Sequence, residues 1–145
     1  MRIRKLEPRD VDAVLALQQS CPDAAQWTRE DYEHGGLGQW ENWVCESGGR
    51  IIAFLMARVA ADEMEILNLA VAAHWRRRGV ATALVARALA EARARGARRA
   101  YLEVRESNSA AIAFYHALGF EPAGRRPGYY ANPCGDALLL SGAPG

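Results

Sequence analysis

The sequence predicts an α/β fold in which one mixed β-sheet carries helices on both faces. The strongest support comes from residues 65–95, where an apolar strand, a basic glycine turn and a long amphipathic helix follow one another. A second strand and a short helix follow at 99–119, and further strands lie before and after this centre. The resulting order, β-α-α-β-β-β-α-β-α-β-β, implies a sheet with both parallel and antiparallel neighbours.

The part before this centre is predicted to form a strand, two helices and a hairpin. The strand covers Arg2–Lys5, and Pro8 suits the first turn of a helix that ends before Pro22. Residues 28–31 have the pattern of a capping box for a second helix, which the glycine pair at 35–36 should end. Strands at 42–46 and 50–59 flank a Ser-Gly-Gly turn, and another turn near 61–62 precedes the central strand.

The part from the glycine turn onward alternates helices and strands. A helix begins at about Gly79, buries one apolar stripe and ends near Gly96. A strand at Arg99–Arg105 precedes a helix that opens at Asn108 and closes at Gly119. The chain then runs extended, is predicted to turn at 125–128 (Arg-Arg-Pro-Gly), and ends in a strand at 137–140.

Length and charge restrict the class of protein. The 145 residues suffice for one domain with a hydrophobic core, and no linker or repeat divides them. A net charge of +1 argues against a general nucleic-acid or membrane binder. No apolar run approaches the roughly 20 residues that span a bilayer, and no export signal is recognisable at the N-terminus. We therefore expect a single domain over 1–145, cytoplasmic and monomeric, with no nucleic-acid or membrane partner.

The cysteines and histidines do not have the spacing of a metal site or of a disulfide framework. The chain has three of each, far apart and without a CxxC pair: Cys21, Cys45 and Cys134, and His34, His74 and His116. We therefore expect free thiols in a reducing compartment and no bound metal.

The turn between the central strand and its helix has the features of an anion site. Arg76, Arg77 and Arg78 precede Gly79, and the first turn of the helix has free N–H groups. The turn matches neither GxxxxGK[ST] nor GxGxxG, so the P-loop and the dinucleotide fingerprint do not apply. The alternative is an ordinary connector with solvated arginines.

Two side chains that follow are candidates for acid–base chemistry. Alternation places Glu103 in the middle of a strand, where a carboxylate is either paired with an arginine or serves as a general base. Tyr115 shares the inner face of the next helix, where a tyrosine is usually a core aromatic. Spacing alone leaves both alternatives open.

Several motifs together resemble one family. Arg76-x-x-Gly79-x-Ala81 after an apolar strand resembles the acetyl-coenzyme A pyrophosphate loop of the GNAT N-acetyltransferases, usually Q/R-x-x-G-x-G/A. Residues 102–120, LEVRESNSAAIAFYHALGF, resemble the RimI-type branch, the protein N-terminal alanine acetyltransferases. Further positions of the branch pattern are Gly124, Arg126, Tyr129, Tyr130, Asp136 and Ala137. These motifs lie across about half of the chain.

The resemblance implies the GNAT fold, acetyl-coenzyme A as co-substrate, and a role for each matched residue. Glu103 would be the general base and Tyr115 the general acid. The residues implied to hold the coenzyme are Leu69, Ala70 and Val71 for the acetyl-pantetheine arm, Arg77, Arg78, Gly79, Val80, Ala81 and Thr82 for the pyrophosphate, and Asn108 as a further contact.

The acceptor that the resemblance implies is the free α-amine of a protein N-terminus, with the N-terminal alanine of a small-subunit ribosomal protein as the branch's named target. A lysine side chain or a small amine is the alternative acceptor, and a coenzyme-binding partner protein without turnover is the alternative class. Two departures bear on the acceptor: Gln26 replaces a common proline before Trp27, and Cys134 and Gly135 replace the usual glutamate before Asp136. Trp27 either lines a binding site or closes the core.

Overall fold

The computed structural model describes residues 1–33, 39–131 and 134–143. The helices are α1 (Val11–Gln19), α2 (Arg29–Glu33), α3 (Val80–Ala94) and α4 (Ser109–Ala117). The strands are β1 (Arg2–Lys5), β2 (Gln39–Trp40), β3 (Trp43–Ser47), β4 (Arg50–Ala60), β5 (Glu63–Val71), β6 (Arg99–Arg105), β7 (Glu121–Ala131) and β8 (Cys134–Gly142).

The predicted order of elements is confirmed, with the two-residue strand β2 in addition. The predicted capping box is formed, because Thr28 and Asp31 exchange hydrogen bonds between side chain and backbone at 3.2 and 2.8 Å. The glycine pair at 35–36, predicted to end α2, lies outside the described residues. No helix in the described ranges is long and apolar enough to cross a membrane.

One sheet runs through the molecule in the order β1-β3-β4-β5-β6-β8-β7, with β2 added beside β4. Neighbours are antiparallel except β5 and β6, which pair in parallel. That parallel pairing covers only residues 63–65 of β5 against 99–101 of β6. Beyond Glu65, the described parts of the two strands no longer pair, so the sheet opens into a gap at this point.

A β-bulge in β5 explains why the strands separate. The register with β4 shifts between Met56 and Ala57, and Leu67 is the extra residue on β5. A bulge bends its strand and turns later side chains to the other face. Thus Ile66 packs into the core under α3, whereas Ala70, which would share its face in a regular strand, packs under α1.

Two hydrophobic cores cover the two faces of the sheet. The larger core combines the inner faces of α3 and α4 with Ala100, Leu102 and Val104 of β6. The smaller one combines α1 and Tyr32 of α2 with Phe54 of β4. Consequently, side chains of β6 that alternate with the buried set face the α1 and α2 side.

The predicted turn at 125–128 is wrong, because these residues lie inside β7. The register passes from Arg126 opposite Ala137 to Tyr130 opposite Gly135, so three β7 residues face Asp136 alone. The stretch is therefore a bulge in which three residues of β7 oppose one residue of β8. A Pro-Gly pair is compatible with a turn as well as with a β-bulge, and pairing with β8 on both sides of it makes this one a bulge.

Candidate active site

The gap between β5 and β6 exposes a strip of backbone. The Ala72 amide donates to the Ile52 carbonyl at 2.8 Å, toward β4. Because backbone groups alternate in direction along a strand, Val71 and Leu69 direct theirs away from β4. The Leu69 amide donates to the Asn68 Oδ1 at 3.1 Å and the Val71 carbonyl accepts from Arg76, so the Val71 amide and the Leu69 carbonyl are the groups left for the gap. An extended ligand could add there as a short strand. Leu69 and Val71 thus lie at the gap, whereas Ala70 pairs with Phe54 of β4 and is buried under α1. The coenzyme contact predicted for these three residues stays a prediction.

The N-terminus of α3 follows this strand after a short loop, and its first turn has the free amides that the predicted anion site needs. Gly79 precedes the helix with φ 80°, and no side chain caps the first turn. The first intrahelical bond runs from the Ala83 amide to the Gly79 carbonyl at 3.0 Å. The amides of Val80, Ala81 and Thr82 therefore have no carbonyl of their own helix to bond.

The arginines beside this helix differ in what they contact. Arg77 is exposed, with its backbone in the left-handed region at φ 61°. Arg78 is also exposed and lies over the ring of Trp75, 5.4 Å from its centroid. Both can present positive charge to a phosphate next to the helix N-terminus.

Arg76, the first residue of the loop motif, is also exposed, but its guanidinium contacts the body of the protein. Its Nε donates to the Val71 carbonyl at 3.1 Å, and its Nη2 lies 3.4 Å from the Cys21 Sγ. The side chain therefore fastens the loop to the end of β5 and to the end of α1. The sequence analysis placed Arg76 at the start of the loop motif, with a solvated arginine run as the alternative, and neither predicted this contact.

Glu103 lies on the α1 and α2 side of β6, at the edge of the gap. Its Oε1 is 3.1 Å from Nη2 of Arg126, and its side chain is 17% exposed. Its Oε2 is buried and has no hydrogen-bond partner among the described residues. The carboxylate is therefore paired with an arginine and still has one oxygen without a hydrogen bond. An ion pair with arginine and a role as general base, the two alternatives from the sequence, do not exclude each other.

Tyr115 lies on the opposite side of β6, in the larger core. It is 6% exposed and packs edge-on against Phe114 and Phe120, with ring centroids 5.0 and 5.5 Å away. Its hydroxyl has no hydrogen-bond partner in the described ranges. Burial raises the pKa of Tyr115 above the ordinary value of 10.0, so the phenol keeps its proton at neutral pH.

Asn108 caps α4 as predicted. Its Oδ1 accepts a hydrogen bond from the Ala111 amide at 3.2 Å, which satisfies one free donor of the helix. The cap fixes the start of α4 relative to the end of β6, and thereby the position of Tyr115 two turns later. The coenzyme contact predicted for Asn108 stays a prediction.

A buried polar network that sequence reasoning missed fastens the loop between α1 and α2 to β5. The Asn68 side chain donates to the Ala25 carbonyl at 2.9 Å and accepts from the Ala25 amide at 3.1 Å. It also donates to the Tyr32 hydroxyl at 3.3 Å, and that hydroxyl donates to Gln18. Gln18 in turn bonds the backbone of Trp27. The available signal was Asn68 itself, the one polar residue in the apolar run from Ile66 to Val71.

Trp27 itself packs onto the smaller core. Its ring lies 5.2 Å from that of Tyr32 and 6.4 Å from that of Trp40, between centroids. Of the two roles left open by the sequence, closing the core is therefore the one seen. The loop that carries Trp27 still borders the face on which Glu103 lies.

The bulge of β7 borders the same face and is held by ionic contacts. Asp136 accepts from the Gly128 amide at 2.8 Å and pairs with Arg125 at 3.2 Å, and both contacts hold its pKa below the usual range. Arg125 also pairs with Glu106.

Among the described residues, no group of three or more potential metal ligands occurs.

The site combines an open strand edge, a helix N-terminus and a largely buried carboxylate. Comparison with known proteins shows the family to which the chain belongs. The family model of the acetyltransferase (GNAT) family matches residues 11–120. The chain belongs to this family, and it is an N-acetyltransferase.

One curated relative and two solved structures illustrate what the chain is similar to. The ribosomal protein bS18-alanine N-acetyltransferase of Escherichia coli K12 is 33% identical over 141 residues, which is 96% of this chain and 95% of the relative. The crystal structure of the E. coli ribosomal-protein-S18-alanine enzyme matches with a TM-score of 0.87 at 31% identity, covering 99% of this chain and 93% of that one. Ard1 from Thermoplasma volcanium matches with a TM-score of 0.85 at 26% identity, covering 98% and 96%.

Proposed function

We propose that this protein transfers the acetyl group of acetyl-coenzyme A to the free α-amine of a protein N-terminus. The observation that carries the proposal is the Glu103 carboxylate, which lies at the gap with one buried oxygen that no described residue bonds. The named activity of the E. coli relative makes the alanine of ribosomal protein bS18 the first acceptor to test. The same proposal treats residues 1–145 as one acetyltransferase domain that works as a monomer.

The residues around the gap fit acetyl-coenzyme A. The backbone of Leu69, Ala70 and Val71 would hold the pantetheine arm as an added strand, because the open edge offers amide and carbonyl groups. The remaining residues proposed to bind the coenzyme are Arg77, Arg78, Gly79, Val80, Ala81 and Thr82 at the pyrophosphate, and Asn108 beside them. The coenzyme supplies a thioester carbonyl that an amine can attack without a protein nucleophile.

The two candidate catalytic residues lie on opposite faces of β6, and the proposal assigns one proton transfer to each. Glu103 would take a proton from the acceptor ammonium, directly or through water, so that the nitrogen can attack the thioester. The new amide forms as the carbon–sulfur bond breaks. Tyr115 would then donate its proton to the leaving thiolate, whose conjugate thiol has an ordinary pKa near ~8.5. Burial keeps that proton on the phenol at neutral pH.

An α-amine suits this machinery better than lysine. A free α-amine titrates near ~7.7–8.0, whereas a lysine side chain titrates near ~10.4. At neutral pH, deprotonating the α-amine therefore costs about one pKa unit, which a carboxylate base can supply. The resemblance to the E. coli ribosomal protein bS18-alanine N-acetyltransferase favours the same acceptor.

The test is thiol release from acetyl-coenzyme A with matched peptides. One peptide begins with a free alanine, the second is blocked at its N-terminus, and each contains one internal lysine. We expect release only with the free N-terminus, and mass spectrometry should place the acetyl group on the α-amine. Peptides beginning with Ser, Gly or Met then rank the first-residue preference.

Two results would contradict the proposal. Acetylation of the internal lysine in the blocked peptide would favour the lysine or small-amine alternative. Coenzyme binding without turnover of any peptide would favour a non-catalytic partner protein.

A further inference from the structure

A cation already occupies the exposed side of Glu103. Arg126 approaches from β7, two strands away from β6, and its Nη2 lies 3.1 Å from the Glu103 Oε1. Strand β8 separates the two, and Ala137 of β8 lies opposite both Arg126 and Arg105 in the register. Ala137 is fully buried. Its small methyl group leaves room for the long Arg126 side chain to cross the strand.

Arg126 is held less firmly than its neighbour. Arg125 pairs with two carboxylates, Glu106 and Asp136, and is part of the frame of the bulge. Arg126 is 63% exposed, and Glu103 is its one anionic partner in the part of the chain that the structure describes. Its guanidinium also lies 5.5 Å from the ring centroid of Tyr129. Exposed ion pairs of this kind are weak and exchange readily.

The acceptor must reach Oε1, because the other oxygen, Oε2, is buried and closed to solvent. The larger core fills the α3 side of β6, so the open side of Glu103 is the face that carries Arg126 and the α1–α2 loop. An α-ammonium carries the same charge as a guanidinium and donates to the same carboxylate. The two cations therefore compete for Oε1.

We propose that Arg126 occupies the acceptor's position on Glu103 until the α-ammonium of the acceptor displaces it. In the protein without acceptor, the guanidinium covers the base and keeps water from being activated beside the thioester. When the acceptor binds, one ion pair replaces another, and Glu103 can receive a proton from the amine. Arg126 is a positioning residue in this account, and the account rests on the proposed function.

The test compares Arg126→Gln with Arg126→Lys and with a matched control. The control is Arg58→Gln, since Arg58 pairs with Glu65 at 2.9 Å on the same sheet, with side chains 40% and 20% exposed. Arg126→Gln should lower the KM for an alanine peptide by about two- to fivefold, the range that an exposed ion pair allows. The KM for acetyl-coenzyme A and kcat should not change, and Arg126→Lys should resemble the wild type.

Acceptor-free hydrolysis of acetyl-coenzyme A gives a second readout that needs no peptide. Water adds to the thioester carbonyl, the carbon–sulfur bond breaks, and acetate and free thiol form. Arg126→Gln should raise this rate by a factor similar to the fall in KM. In both cases the guanidinium no longer has to leave the Glu103 carboxylate before the reaction. Arg58→Gln should leave it unchanged.

The proposal is overturned if Arg126→Gln raises the peptide KM, which would make Arg126 a peptide-binding group, or if neither readout changes. Loss of kcat together with weaker coenzyme binding would also overturn it and indicate a structural role. A wild-type protein that acetylates no peptide would contradict the proposed function alone, because the hydrolysis comparison still tests Arg126.

Discussion

Tyr115 shows how one residue serves both packing and the proposed chemistry. Its ring fills the core between Phe114 and Phe120, and its hydroxyl lies in a medium that disfavours the phenolate. Sequence periodicity alone predicted a core aromatic with a satisfied hydroxyl. The packing is confirmed, but no described residue bonds the hydroxyl, which leaves its proton available for donation.

The raised pKa of Tyr115 predicts alkaline destabilisation. The unfolded chain ionises this phenol near its ordinary value of about 10, while the folded chain retains the proton. The stabilising contribution is therefore complete below pH ~10 and is lost as pH rises further. Urea unfolding at pH 8 and pH 11 should show a smaller loss of unfolding free energy in Tyr115→Phe than in the wild type. The exposed Tyr129→Phe serves as control, and an equal loss in all three proteins would contradict the prediction.

The loop between α1 and α2 is held to β5 by one side-chain amide. Asn68 pairs with both backbone groups of Ala25, as a neighbouring strand would, and reaches Tyr32 of α2 as well. Asn68 directly follows the extra residue of the bulge, and the bulge turns it toward this loop. The bulge that opens the gap therefore also positions the loop beside it.

Replacing Asn68 by Asp should release this loop. The substitution keeps the shape but removes the two donated hydrogen bonds and buries a carboxylate, at a cost of about 1–3 kcal/mol of unfolding free energy. The peptide KM should rise more than the KM for acetyl-coenzyme A. Asn42→Asp is the matched control, because Asn42 accepts from the Ala57 amide through an oxygen that Asp retains. Equal effects of the two substitutions would show that the loop contact is unimportant.

The elements that were predicted well from the sequence depend on residues close together along the chain. The strand at Arg99–Arg105 alternates cleanly, and the cap at Asn108 depends on residues one turn away. The bulges at Leu67 and at 127–129 were missed because strand pairing decides them. The contacts of Arg76 were missed because its partners lie at Val71 and Cys21. Likewise, the Glu103–Arg126 pair joins strands that are not adjacent. Such contacts follow from the assembled sheet rather than from spacing.

At the scale of the whole molecule, the gap between β5 and β6 can be reached from both faces of the sheet. The N-terminus of α3 and the buried Tyr115 lie on one side, where the coenzyme is proposed to bind. Glu103, the α1–α2 loop and the bulge of β7 lie on the other, where an acceptor can enter. Because β5 and β6 pair only over three residues each, the gap beyond that pairing is open to both faces of the sheet. Direct transfer between two substrates, without a covalent protein intermediate, suits this arrangement.

The most direct test of this account is steady-state acetylation of a peptide with a free N-terminal alanine by the Glu103→Gln variant. General-base catalysis predicts a fall in kcat/KM of about 100- to 10,000-fold, with acetyl-coenzyme A affinity by calorimetry essentially unchanged. Glu65→Gln, which removes the charge of another paired carboxylate on the same sheet, should retain activity. Full activity in Glu103→Gln, or an equal loss in Glu65→Gln, would contradict the assignment of Glu103 as the base.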